Sequence, residues 1–442
     1  MPLIYYIFAN MGINIVDFSF ENYRSFKEMN ALNMTAAKIK SKNTEIDETN
    51  VFEINKDKLL KTKVIYGANA SGKSNAISAL SDFFMIVAED AANSQKNFLN
   101  MLEPFHLASE TENKPTFFQL IFILDEVKYR YGFEADKKKV HSEWLYATPK
   151  EREVTLFIRN NNSYTNISKK HFNELNKTIK LIGNEKEIVN EQTLLLPTLS
   201  SFGFTKLSKK IIDGFKSIHL QSFNKQFSQA VKMLNINYKE AVDLLATAIE
   251  EAKEGSSANL NEVLSLLNFT DRDIKDIEIR KLGGENFIKV IKDQYNKKGQ
   301  QTNSVSIDFL YTASEGTLRF FTLFSSILGA LKTGSVLLLD EIDRSLHPLL
   351  SKKIIELFNS KHNKNNAQLI FTTHDTNLLS HNLMRRDQID FVEKDKFGAS
   401  HLYSLVNFKG VRNTDSFEKD YLQGKYGAIP FLGNFAETFN LD

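Results

Sequence analysis

Residues 64–80 read VIYGANASGKSNAISAL and contain Gly67-x4-Gly72-Lys73-Ser74. That spacing is the pattern of a phosphate-binding loop. Each residue type has a chemical reason. Glycines let backbone N–H groups approach phosphate oxygens with no side chain in the way. A helix that starts at the loop adds partial positive charge. Lys73 can reach the β- and γ-phosphates, and the Ser74 hydroxyl can ligate Mg²⁺. On this reading Gly67, Ala68, Asn69, Ala70, Ser71, Gly72, Lys73, Ser74 and Asn75 contact the nucleotide, ATP. The flanks agree. Val64, Ile65 and Tyr66 predict a strand, and Ile77, Leu80, Phe83 and Phe84 recur at helical spacing.

A second stretch, SVLLLDEIDRSLHP at 335–348, supplies carboxylates. Residues 336–339 form a continuous apolar run, as in a strand buried on both faces of a parallel sheet. An aspartate at the end of such a strand, Asp340, can hold Mg²⁺ through a water opposite Ser74. Glu341 is then placed to orient or deprotonate an attacking water. More than half of the chain separates Lys73 from Asp340.

Other elements must bring these residues together. Residues 13–26 alternate apolar and polar, the period of a strand, and further strand-like pieces lie at 51–55 and 62–66. Residues 115–133 predict a hairpin through Asp125-Glu126. Asn160-Asn161-Asn162 predicts a turn. Residues 165–282 read mostly as amphipathic helices, with Val231, Leu234, Ala241, Leu244, Leu245 and Ala248 near helical spacing and a break at Gly255-Ser256-Ser257. No heptad run is sustained. Residues 286–310 predict another hairpin turning at Lys297-Lys298-Gly299. The expected organisation is an α/β fold in three parts: an N-terminal ATPase lobe (1–150), a mainly helical insertion (151–285) and a C-terminal ATPase lobe (286–442).

Bulk properties narrow the class. Hydrophobic residues make up 42% and charged residues 25%, values ordinary for a soluble globular protein. A net charge of +2 gives no global basic field for nucleic acid. The run Lys137-Lys138-Lys139 reads as a solvated loop. The absence of cysteine excludes disulfides, thiolate zinc sites and a cysteine nucleophile, and fits a reducing cytosol. No apolar run approaches the roughly 18 residues that span a bilayer. The opening MPLIYYIFANMG lacks a basic n-region, so it makes a poor signal peptide or an extension upstream of a start at Met11. The expected location is cytoplasmic.

The order and wide separation of these motifs resemble the ABC-type ATPases of the SMC, RecF and OLD groups. Ser314-Glu315-Gly316-Thr317, ahead of a predicted helix, resembles their signature motif. The resemblance implies that Ser314, Gly316 and Thr317 bind the γ-phosphate held by another subunit, in a homodimer or higher homo-oligomer. RSLHP at 344–348 occupies the D-loop position. LIFTTHD at 369–375 resembles the switch segment, in which His374 would sense the γ-phosphate. Asn22-Tyr23-Arg24-Ser25 resembles the stretch that opens SMC- and RecF-like heads and implies that Arg24 lies near the phosphates. The Q-loop has no clear counterpart. Gln119 reads as a sheet residue, and Glu143 and His141 are other candidates.

The C-terminal RRDQIDFVEKDKFGASHLYSL reads as strand, Lys-Phe-Gly turn and strand, followed by FKGVRNTDSFEKDYLQGKYGAIPFL. With FENYRSF and GANASGKSN, these stretches resemble the bacterial ABC-type AAA-family ATPases related to RloA and AbiL, and the ATPase subunit of the PARIS anti-phage system. That resemblance implies a defence ATPase that senses a phage component and controls a separate effector such as a Toprim nuclease, with DNA or a phage protein as a further partner. OLD-type nucleases carry a Toprim domain after the ATPase, and the stretch after His374 is too short for one. Asp387, Asp390, Glu393 and Asp395 read as surface residues, so no nuclease site is expected in this chain. A DNA-repair ATPase of the RecF/SMC type and a slow ATP-dependent structural switch are the alternatives.

Overall fold

The computed structural model describes residues 12–89, 98–161, 163–165, 168, 170–183, 188–222, 273–282, 285–309, 315–344, 346–411 and 415–430, with backbone only at 315–322 and a few other positions. The helices expected across 223–272, the opening residues 1–11 and Ser314 lie outside them.

Strand β1 (Asn14–Glu21) follows the alternation read in the sequence and turns Phe18 and Phe20 into the core. It pairs with β2 (Asn30–Asn33). Helix α1 (Glu45–Thr49), the hairpin β3 (Val51–Ile54)–β4 (Asp57–Leu60) and the fully buried β5 (Thr62–Tyr66) lead to α2 (Lys73–Glu89). Four strands follow: β6 (Thr116–Leu124), β7 (Val127–Ala135), β8 (Val140–Thr148) and β9 (Val154–Asn160), then the short β10 (Ser163–Thr165). The β6–β7 hairpin closes at Leu124 opposite Val127, with Asp125 and Glu126 both at positive φ (46° and 63°). Two left-handed residues match the right-handed twist of the strands, as in a type I′ turn.

Three helices, α3 (Glu174–Ile182), α4 (Leu195–Ser200) and α5 (Lys206–Lys216), precede β11 (His219–Ser222). Later come β12 (Ile274–Leu282), β13 (Glu285–Tyr295), β14 (Gln301–Asp308), α6 (Glu315–Thr333), β15 (Val336–Asp340), α7 (Pro348–Asn359), β16 (Gln368–Thr372), β17 (Ile389–Lys394), β18 (Ser400–Ser404) and α8 (Phe417–Leu422).

The described residues fall into two units. The larger contains residues 8–220, 330–343 and 347–442, and the smaller has its described residues within 221–329 and 344–346. In the larger unit one sheet runs β10-β9-β8-β7-β6-β1-β2, antiparallel throughout. The other runs β11-β15-β16-β5-β17-β18, with β15, β16, β5 and β17 parallel. In the smaller unit β12, β13 and β14 form an antiparallel meander with Ile277, Ile288 and Val290 buried.

Helix α2 lies in the core between the two sheets. It packs against β15 and β16, while its Phe83 ring meets Phe18 at 5.6 Å, Phe133 at 5.8 Å and Phe118 at 6.3 Å from the antiparallel sheet. Truncating a fully buried ring of this kind costs about 3–5 kcal/mol. A second link is polar. A bulge between Ile15 and Asp17 leaves Val16 out of the β1–β6 register, next to the backbone of Ile15. The Gln368 carboxamide answers it, accepting from Ile15 N (2.6 Å) and donating to Ile15 O (3.0 Å) and Leu60 O (3.1 Å).

Several expectations change. The boundary at 150 falls inside one sheet, because β9 and β10 are its outermost strands on that side. Residues 274–282 are a strand rather than the end of a helical stretch, and its hairpin with β13 crosses the boundary at 285. Asp387 and Asp390 are buried. Asp387 takes Arg385 Nη2 at 2.7 Å, and Asp390 takes Lys63 Nζ at 3.1 Å. Glu393 and Asp395 are exposed, as expected.

Candidate nucleotide site

The fully buried strands β5, β15 and β16 deliver three polar segments to one end of the parallel sheet. Ligands of open α/β sheets gather at the carboxyl ends of the strands. After β5, residues 67–72 turn into α2. Ala70 takes φ 61° and Gly72 takes φ 116°, the latter a value that favours glycine. Gly67 is also packed closely, since a Cβ there would lie 2.4 Å from Val392 O. Asn69 and Ala70 are exposed, whereas Ser71 and Lys73 are buried.

The Lys73 ammonium donates to Gly67 O (2.9 Å) and Ala68 O (3.0 Å) and has no ion pair among the described residues. Burial pulls its pKa below the ordinary lysine value, against the opposing pull of Asp340, Glu341 and Asp343. Ser74, at the start of α2, donates to Asp340 Oδ1 at 3.1 Å. The expected hydroxyl–carboxylate pair therefore meets. The same oxygen accepts from Thr372 Oγ1 at 2.7 Å. Burial raises the Asp340 pKa, and the two hydroxyls pull it back down.

Thr372 had no role in the sequence reading beyond its place in LIFTTHD. Its hydroxyl gives its proton to Asp340 and accepts from Glu341 N at 2.7 Å. Glu341 itself takes φ 56°. A left-handed conformation at a non-glycine residue is sparsely populated and collects at functional sites. Next along, the Asp343 carboxylate accepts from Thr373 Oγ1 (2.7 Å) and His374 N (3.2 Å). It thereby ties the loop after β15 to the loop after β16. His374 is exposed, and burial of part of its ring together with nearby Lys73 lowers its pKa.

The loop has a further support. Asn75 Nδ2 donates to Ser25 Oγ at 2.8 Å, and the Ser400 hydroxyl lies 2.8 Å from Ser25 Oγ and 2.6 Å from Ser71 O. Asn75, expected among the nucleotide contacts, thus faces Ser25.

Arg24 adjoins Ser25, and its side chain turns to α2. Its Nη2 pairs with Asp82 at 3.2 Å, and Tyr23 OH donates to the same carboxylate at 2.5 Å. Asp82 lies nine residues beyond Lys73 on α2, about 13 Å of helix rise. Burial pushes the Asp82 carboxyl up to about 6, with Arg24 and Tyr23 opposing. The Q-loop candidates are also engaged elsewhere. Glu143, fully buried, accepts from Leu195 N (2.6 Å) and Leu196 N (2.9 Å) at the start of α4 and from Tyr131 OH (3.0 Å). His141 faces Asp136 at 2.7 Å, and Gln119 accepts from Trp144 Nε1 at 3.1 Å. Gly316 and Thr317 belong to the first turn of α6, in the smaller unit.

The residues at the loop fit a polyphosphate with Mg²⁺. A buried ammonium rests on neutral carbonyls, the Ser71 hydroxyl is buried with no hydrogen-bond partner, and a hydroxyl and a carboxylate of the kind Mg²⁺ takes lie in contact.

A family model described as "AAA domain, putative AbiEii toxin, Type IV TA system" matches residues 64–380, well over half of the chain and the whole run from β5 to His374. The chain belongs to this AAA-domain family. No curated protein matches it. Among solved structures, the SMC head domain from Thermotoga maritima is 14% identical, with 88% of this chain and 98% of that one covered and a TM-score of 0.38. The crystal structure of the SmcHead bound to the C-winged helix domain of ScpA is also 14% identical, covering 88% of this chain and 97% of that one, with a TM-score of 0.41. At these scores the likeness says nothing of what this AAA-domain chain binds. Its own topology is a mostly parallel sheet, carrying the phosphate-binding loop after β5, with an antiparallel β lobe. Among its described residues no helix is long and apolar enough to cross a membrane.

Proposed function

We propose that the chain is an ABC-type ATPase that binds ATP with Mg²⁺ at residues 67–75, hydrolyses it, and works as a homodimer or higher homo-oligomer in the cytoplasm. In this reading it senses infection or acts as a scaffold in an abortive-infection system and controls a separate effector such as a Toprim nuclease, with no nuclease site of its own. The observation that carries the nucleotide reading is the contact of Ser74 with Asp340 beside the buried, unpaired Lys73. The membership of a family described by a toxin–antitoxin system supports the defence reading.

The roles follow from position. Lys73 and the backbone N–H groups at the start of α2 hold the phosphates. Ser74 and Asp340 are the residues that hold Mg²⁺, which when bound neutralises phosphate charge. Glu341 accepts a proton from the attacking water. His374, tied through its backbone to Asp343, faces the γ-phosphate end of the site. Ser314, Gly316 and Thr317 of a second copy close the nucleotide from the other side.

Thr372 bonds both acidic residues, so Thr372→Val removes an acceptor from Glu341 N and a donor from Asp340. A hydrogen bond to a charged group is worth about 1.5–3 kcal/mol. Turnover is expected to fall roughly ten- to a hundredfold, with ATP affinity little changed. Steady-state phosphate release beside equilibrium nucleotide binding checks the split.

The defence reading is tested by plating phage on cells that carry the gene with its neighbours, and on cells lacking only this chain. A drop in plating efficiency that needs the chain is the expected result. Equal plating, together with hydrolysis that DNA stimulates in a strongly salt-dependent way, would move the protein to DNA repair.

A further inference from the structure

Ser400 stands at the start of β18, beyond the part of the chain that the family model covers, yet it lies against the phosphate-binding loop. Its side chain is fully buried. Its backbone N donates to Ser25 O at 2.7 Å. Its hydroxyl is 2.6 Å from Ser71 O and 2.8 Å from Ser25 Oγ, and Ser25 Oγ is 2.8 Å from Asn75 Nδ2.

Proton counting orients this chain of contacts. A carbonyl only accepts, and a serine hydroxyl carries one proton. The Ser400 proton therefore goes to Ser71 O, the Ser25 proton goes to Ser400 Oγ, and Asn75 donates to Ser25. The result is a directed run of three hydrogen bonds from α2 back to the loop that precedes it. Gly72 lies flat on the two hydroxyls: a Cβ there would come within 2.5 Å of Ser400 Oγ and 2.9 Å of Ser25 Oγ. Ser400 Oγ thus bonds the carbonyl that immediately precedes Gly72, whose φ is 116°.

We propose that Ser400 is a positioning residue for the phosphate-binding loop, which it holds through Ser71 O, with Ser25 and Asn75 completing the brace. This rests on the nucleotide reading above. The loop's N–H groups bind phosphate well only if they point the right way before the ligand arrives, since ordering them afterwards costs affinity. Ser400 supplies that order from the β17–β18 hairpin, so the shape of that hairpin and the occupancy of the loop are linked.

The test titrates a fluorescent ATP analogue with Mg²⁺ into the full chain, as wild type, Ser400→Ala, Ser25→Ala and the double variant, and records the melting temperature of each without nucleotide. Each single variant is expected to weaken binding roughly tenfold, the worth of one to two hydrogen bonds. The double variant is expected to bind about as the weaker single one, because both hydroxyls serve one run of bonds. Melting without nucleotide stays near the wild-type value. Unchanged affinity in Ser400→Ala overturns the proposal, and so does a fall in melting temperature with affinity intact, which would make Ser400 a packing residue. If Ser400→Ala does not fold, Ser25→Ala decides alone, since Ser25 is partly exposed. Failure of the wild type to bind nucleotide strikes the site reading itself and is distinct from either variant result.

Discussion

Glu341→Gln should bind ATP and scarcely hydrolyse it. General-base catalysis contributes about a hundred- to ten-thousandfold to rate, and the amide keeps the shape of the carboxylate while losing its basicity. The local backbone is expected to survive, because Thr372 holds Glu341 through its N–H rather than through its side chain. The variant should therefore accumulate the nucleotide-bound assembly. Phosphate release measures the first effect, and light scattering with ATP and Mg²⁺ measures the second. Turnover close to wild type would remove Glu341 from the chemistry and leave Asp340, Asp343 and His374 to be tested in turn.

Lys73→Met should sharply weaken nucleotide binding and stabilise the protein without nucleotide. The two effects have one cause. The ammonium is buried on two carbonyls with no ion pair among the described residues, and burial lowers its pKa. A lowered lysine pKa means the folded state disfavours the charged form. That cost is present at neutral pH and is relieved only as pH rises through the folded value. Methionine keeps the apolar stem and removes the cost. Removing one partner of a buried charge pair costs about 2–5 kcal/mol, so ATP affinity should fall between roughly thirtyfold and several thousandfold. Calorimetric melting without nucleotide, set against a binding titration, measures both. A higher melting temperature fits the general trade between stability and function, whereas a lower one would show that Lys73 supports the fold rather than waiting for an anion.

The parts of the site that were legible in the sequence are those whose physics is local. A strand buried on both faces must be a short apolar run, so β5, β15 and β16 stand out, and the residues that follow them had to be loops at a sheet end. The β6–β7, β13–β14 and β17–β18 hairpins carried their turn residues with them. Errors arose where a neighbour distant in sequence decides. Asp390 was read as a surface residue because Lys63, which pairs with it in the interior, enters from β5, far earlier in the chain. The partner of Arg24, Asp82 on α2, is likewise a residue distant in sequence that the N-terminal motif alone does not reveal. The stretch 274–282 mixes charged and apolar residues at a spacing that satisfies a helix or a strand, and only pairing with β13 chooses. Thr372 and Ser400 gave almost no signal. A lone hydroxyl becomes informative only once its acceptor is known.

The bond between Ser25 and Ser400 joins residues 375 positions apart. Contacts of such separation form late, since loop closure must be completed before they add stability. On the ribosome the phosphate-binding motif emerges long before its brace. A nascent chain thus holds the residues of the loop without its brace until residue 400 has been made.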